Sequence, residues 1–297
     1  MKTIKNIYKA EQINMGGVLL DQALPVSNIS YFDPFLLIHH WRQVFEGGQE
    51  QSELGVGPHP HRGFAPVTLI FEGSVYHQDS LGNKSLVKKG GTQWMNSGKG
   101  IIHSERPSEK LAKLGGVFEI IQFWVNIPAK NKTDKATYQA LMSEDMPEIV
   151  SDGGLVKVGV VAGSFMGVQS PIKAITDLMI LRFEFSKGGK IKFPVSENFN
   201  TLFYQLDGSV IVNKNTKADA KDMIIFNSEG ELIELEALED TRAIILSGIP
   251  INEKVVSYGP FVMNTKEQIY SAINDYHSGK MGKLKEQFDS QLIQINN

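Results

Sequence analysis

Two short stretches hold the residue types that could do chemistry. "GVGPHPHRGF" places His59 and His61 two positions apart, and "KGIIHSERP" places His103 and Glu105 at the same interval. On a strand, residues i and i+2 project from one face, so each pair forms a two-toothed clamp. If the two strands face each other inside one small barrel, three imidazoles and a carboxylate converge on a point. That donor set neutralises part of a divalent charge and leaves positions open on an octahedral ion, as a metal that also binds substrate or dioxygen requires. A lone His-x-His is more often a surface pair. The second pair, beyond an intervening hairpin, makes the pattern specific.

Other chemistries are poorly served. The 297 residues contain no cysteine, which removes disulfides, zinc–thiolate sites, iron–sulfur ligation and a thiol nucleophile. No P-loop, dinucleotide fingerprint or Ser/His/Asp order is present, so no organic cofactor is expected. The formal charge of -3 gives no footprint for direct nucleic-acid contact or an anionic membrane. The amino-terminal stretch lacks the apolar run of a signal peptide, and no later run reaches transmembrane length. The expected compartment is the cytoplasm, and the expected state is a monomer.

The elements that must position these donors read as strands almost throughout. "PVTLIF", "VFEIIQFWVNI", "LMILRFEF", "SVIVN", "DMIIF" and "RAIIL" are short apolar segments bounded by Gly, Pro, Asn and Asp. Helical spacing is confined to "TDKATYQALMSED" and to "NTKEQIYSAINDYHSGK". In the latter, Asn264 or Thr265 is the N-cap, and Ile269, Ala272, Ile273 and Tyr276 recur on one face. The reading is all-β, a barrel or sandwich.

The strands repeat. "LIFEGSVYHQ" in the first half parallels "YQLDGSVIVN" in the second, aligning Gly73 with Gly208, and Asn96 then falls opposite Asn227. In that alignment His59 and His61 meet Pro194 and Ser196, and His103 and Glu105 meet Glu234 and Glu236. Two carboxylates without imidazoles are a poor transition-metal cage, so one ion per chain is expected, in the first copy. The boundary falls within residues 128–155. It gives an amino-terminal metal-binding domain over 1–135 and a degenerate second domain over 136–297, whose terminal helix can pack back across the other half.

Long motifs in order now carry a resemblance. "DPFLLI" (33–38), "GVGPHPHRGF" (55–64), "EGSVYHQDSLGN" (72–83), "QWMNSGKGIIHSE" (93–105), "FWVNIPAK" (123–130) and "YGPFVMNT" (258–265) make the chain resemble the pirin family of the cupin superfamily over essentially its whole length. The resemblance implies a bicupin, two β-barrel (double-stranded β-helix) domains with a few short helices. It also implies iron(II) held by His59, His61, His103 and Glu105. Pirin-like sequences commonly place a glutamate after the His-Arg-Gly-Phe run, where this chain has Ala65, which puts in doubt any role of that carboxylate in tuning the site.

Further residues are placed by motif. His77 lies beside the site, as a pocket residue or as a structural hydrogen-bonding group near the turn. Of His39 and His40, one approaches the pocket rim and the other meets solvent. Phe64, Trp94 and Met95 offer an apolar wall for a flat substrate, against the plainer reading of core packing. Asp33 and Phe35 belong to motif stretches assigned near the ligands.

The resemblance implies two functions of different class. In one, the protein is a quercetin 2,3-dioxygenase-like enzyme that opens a flavonol ring with dioxygen and releases carbon monoxide, with Glu105 as ligand and as acceptor of the flavonol's 3-hydroxyl proton. In the other, it is an iron-binding, redox-sensitive protein that acts on a protein partner or transcription regulator without turnover.

Overall fold

The computed structural model describes residues 1–151 and 153–288. The chain divides into two compact units, each assembled from separate stretches: residues 1–39 with 145–252, and residues 40–144 with those described from 253 on. The expected domains, 1–135 and 136–297, were consecutive, whereas these units interleave. The cause lies at the two ends of the chain. Strand Ile4–Lys9 adds itself antiparallel to Asp222–Phe226. Helix Lys266–His277 buries Ile269 and Ala272 in a cluster with Ile102 and Phe261.

The unit holding the histidines contains a four-stranded sheet in the order Val56–His61, Ile101–Pro107, Ser74–Asp79, Lys84–Lys88. A second sheet runs Thr137–Leu141, Thr92–Asn96, Phe64–Glu72, Gly116–Asn126. Strands Phe64–Glu72 and Ser74–Asp79 pass from one sheet to the other through Gly73. Its φ of 77° is open to glycine. A Cβ there would also come within 3.0 Å of the Val117 carbonyl oxygen.

The other unit repeats the plan. Its four-stranded sheet is ordered Lys190–Pro194, Leu232–Ala237, Ser209–Val212, Thr216–Asp219, and Gly208, at φ 65°, makes the turn matching Gly73. The interior is apolar: Phe183, Phe193, Phe203, Ile233 and Leu235 are all fully buried. Burying each such side chain contributes about 1.5–3 kcal/mol, so this unit draws its stability from hydrocarbon. The sequence alignment is one residue out on this sheet. Glu234 and Glu236 lie opposite Lys192 and Lys190, and both carboxylates reach the Lys190 ammonium at 3.1 Å. The inward positions are Phe193, Val195, Ile233 and Leu235. A slip of one residue exchanges the faces of a strand, which is why the alignment selected the outward set.

Of the two expected helices, the later one forms over Lys266–His277. Thr265 caps it by accepting from the Gln268 N–H, and the Gln268 side chain completes a capping box. "TDKATYQALMSED" is not a helix. Its centre, Thr137–Leu141, pairs antiparallel with Thr92–Asn96 as the outermost strand of the sheet. Ladder hydrogen bonds and packing outweigh the weak helical preference of this segment. Among the described residues, no helix is long and apolar enough to cross a membrane.

Candidate metal centre

Strand Val56–His61 lies beside Ile101–Pro107, not across the barrel from it. His59 is directly opposite His103, and His61 is opposite Ile101. A bulge then shifts the register, so that Glu105 pairs with Val56. The imidazoles crowd together, with ring centroids 4.7 Å apart for His59 and His61, 4.3 Å for His59 and His103, and 4.9 Å for His61 and His103.

Each ring is oriented through its outer nitrogen. His59 Nδ1–H donates to the Gly57 carbonyl at 2.8 Å, and His61 Nδ1–H donates to the Pro260 carbonyl at 3.4 Å. His103 Nδ1 meets His77 Nδ1 at 3.5 Å, and His77 Nε2–H donates to Asp79 Oδ2 at 3.2 Å. Asp79 is anchored in turn by Asn83 Nδ2 at 2.7 Å and by the Leu81 and Asn83 amides. Burial would raise the Asp79 carboxyl, but the hydrogen bonds from His77 and Asn83 outweigh it and leave it below its ordinary range.

With the Nδ1 atoms so engaged, the Nε2 lone pairs turn toward one another. His59 and His61 Nε2 are 3.0 Å apart, and His103 Nε2 is buried with no hydrogen-bond partner. Burial lowers the proton affinity of all three rings, and mutual repulsion lowers it further for His61 and His103. Neutral imidazole is the metal-binding form. Converging lone pairs without protons between them are unfavourable unless a cation joins them, so this donor set fits a transition ion. Candidate ligand atoms of His59, His61 and His103 all lie within 4.8 Å of one another.

Glu105 lies outside that group of three but lines the same small cavity as His103. The other walls are Pro66, Thr68, His77, Gln93, Met95 and Tyr138. Its Oε1 accepts from Thr68 Oγ1–H at 2.9 Å and from Gln93 Nε2–H at 2.6 Å, and its Oε2 accepts from Gln122 Nε2–H at 2.7 Å. The amides are themselves oriented: Trp124 Nε1–H donates to Gln122 Oε1, and Tyr138 O–H donates to Gln93 Oε1, both at 3.3 Å. Burial holds the Tyr138 phenol protonated well above its ordinary range.

The remaining sequence-stated residues divide. His77 fills both of its expected roles, lining the cavity and hydrogen-bonding at the turn. Met95 lines the cavity, and Phe64 packs edge-on against His61 with centroids 5.0 Å apart. Trp94, between the inward Gln93 and Met95, faces away; Trp124 takes its place, 4.2 Å from Phe64 and 5.5 Å from His61. His40 is fully buried on Glu119 at 3.0 Å, and His39 bonds Gln22 at 3.1 Å, so neither rims this cavity. Asp33 belongs to the other unit, where its carboxylate accepts from the Asn252 amide. Pro66 and Thr68 point into the cavity, so Ala65 between them faces away. The departure at Ala65 therefore leaves the cavity lining untouched.

Thr68, Gln93, Gln122, Trp124 and Tyr138 are site residues that sequence reasoning missed. Thr68 and Gln122 had a signal: each is a polar residue interrupting an apolar strand, in "PVTLIF" and "EIIQFWV". Such groups are buried only with partners.

Residues 17–125 match the family model described as Pirin, and residues 180–282 match the Pirin C-terminal cupin domain. Pirin-like protein 2 of Arabidopsis thaliana is 34% identical over 94% of this chain and 85% of its own length. The chain belongs to the pirin family. Among solved pirin and quercetinase structures, quercetin 2,3-dioxygenase from Acinetobacter baumannii is 36% identical. It matches with a TM-score of 0.90 over 96% of this chain and 100% of that one. The bacterial pirin YhhW of Escherichia coli, solved in complex with nickel(II), shares the fold at 22% identity, with a TM-score of 0.64 over 82% of this chain and 100% of its own. The all-β bicupin expectation holds for this pirin.

Proposed function

We propose that this pirin is a metal-dependent dioxygenase that cleaves a flavonol such as quercetin, with one divalent transition ion, iron(II), held by His59, His61, His103 and Glu105. The observation that carries the reading is the convergence of His59, His61 and His103, whose candidate ligand atoms lie within 4.8 Å of one another beside a carboxylate. A divalent transition ion held there supplies Lewis acidity toward a flavonol 3-hydroxyl and the redox capacity that oxygen chemistry needs.

The chain's own residues do the rest. His59, His61 and His103 would hold the ion, next to the cavity that His103 lines. Glu105, through the part of Oε2 not engaged by Gln122, would accept the proton of the flavonol 3-hydroxyl. Pro66, Met95, Phe64 and Trp124 supply apolar surface that keeps bulk water off the electron-rich ring. Two oxygen atoms enter the substrate as its central ring opens, and one carbon leaves as carbon monoxide.

The cavity is small, with room for about one water. A flavonol therefore enters with displacement of a wall side chain. Tyr138 is the candidate, since its strand is paired on one side alone.

The test is aerobic incubation of iron-loaded protein with quercetin, following loss of the flavonol absorbance, alongside Glu105→Gln. The unmodified protein should turn over. The variant should fall by about 10²–10⁴-fold per bound iron, as for loss of a positioned base. Absence of turnover by the unmodified iron protein would remove the enzyme reading.

A further inference from the structure

We propose that Thr68, Gln93 and Gln122 form a resting cradle for the Glu105 carboxylate, which makes Glu105 the exchangeable ligand while the three histidines stay fixed. The inference rests on the reading above that these four residues hold the ion.

The two kinds of donor are held differently. Every histidine is tied through Nδ1, away from the metal-facing nitrogen, so its support and its ligation do not compete. Glu105 is tied through the very oxygens that would ligate. A carboxylate offers about four lone-pair positions. Three are filled by Thr68, Gln93 and Gln122.

The amides of the cradle are oriented by their own partners. Trp124 occupies the Gln122 carbonyl and Tyr138 that of Gln93, so in each amide the N–H end is the one left to face Glu105. A carboxylate leaving a metal inside a protein would ordinarily be a buried charge without partners, a strongly unfavourable state. Here three donors await it. Glu105 would exchange its bond to an ion held here for hydrogen bonds already in place, which would leave room for substrate. Thr68, Gln93 and Gln122 are thus positioning residues, acting through Glu105.

The cradle makes a prediction of unusual sign. Donors that merely support a ligand weaken metal binding when removed. Donors that stabilise the ligand off the metal strengthen it. Thr68→Val and Gln122→Met keep volume and delete the donors. Nickel(II) affinity, measured by chelator competition without any flavonol, should tighten about tenfold in each, the equivalent of one lost hydrogen bond to a charged group. Glu105→Gln, the control, should weaken it. Circular dichroism on the same samples reports folding, and Thr68→Val, a near-isosteric change, decides the matter if Gln122→Met unfolds. Unchanged or weakened affinity in folded Thr68→Val overturns the proposal and leaves the dioxygenase reading standing. If the unmodified protein binds no nickel, the ligand assignment fails and the cradle with it.

Discussion

The Tyr138 ring lies flat on His77, with centroids 3.9 Å apart and planes 8° from parallel. The stack joins the outermost strand of one sheet to the imidazole that orients His103. Its phenol also hydrogen-bonds Ser85 and Gln93. Tyr138→Phe should keep the stack, lose about 1 kcal/mol of stability and leave the half-saturating quercetin concentration unchanged. Tyr138→Ala should cost about 3 kcal/mol and lower that concentration, because the wall no longer has to move. Denaturant midpoints and steady-state kinetics check both. Equal quercetin dependence in the alanine variant would show that another side chain moves.

The chain from His103 through His77 to Asp79 should set metal affinity. Asp79→Asn and His77→Ala each remove what holds the His103 ring. Partners of this kind are typically worth 10–100-fold in metal affinity. Competition with a chelator of known strength gives the number, and a change under threefold in both would show that His103 is oriented by strand packing instead.

One ion per chain is expected. The outward Glu234 and Glu236 are paired with Lys190, and the other unit's interior offers hydrocarbon. His59→Ala or His103→Ala should deplete the ion without unfolding the protein, since apolar burial holds each core. Elemental analysis and circular dichroism on one sample decide it. Loss of the folded spectrum would make the ion structural.

Acid should act through His39, whose imidazole burial pushes down to about 4 from its ordinary 6.5. Between those values the unfolded chain binds the proton and the folded chain does not. The contribution is therefore complete above pH 6.5 and lost as pH falls toward 4. A shift of this size corresponds to at most about 3 kcal/mol. His39→Gln should flatten that part of the stability profile, measured as urea midpoints at pH 7 and pH 5. An identical pH slope in the variant would assign the acid sensitivity elsewhere.

Much of the site was legible because period-two geometry is local. His59, His61 and His103 could be grouped from spacing alone, and so could the hairpin glycines Gly73 and Gly208. What was lost depended on partners distant in sequence. Tyr138 sits in a stretch whose weak helical spacing hid an edge strand, so a cavity wall was read as part of a helix. Gln93 is unremarkable in sequence, and Gln122 shows only as a polar break in an apolar strand; both acquire meaning when strands from two sheets bring them to one carboxylate. The interleaving of the two units was not legible for the same reason. Pairing of Ile4–Lys9 with Asp222–Phe226 has no trace in either segment alone.

The interleaved division of the chain has a consequence for biosynthesis. A nascent chain emerging from the ribosome displays His59, His61 and His103 well before residues 253 onward exist. Until they arrive, His61 lacks the Pro260 carbonyl, Arg62 lacks its Asp275 partner at 2.9 Å, and Arg106 lacks Glu286 at 2.8 Å. The histidines are thus translated early but oriented late. A product terminated before residue 253 would display the candidate ligand residues without the contacts that aim them.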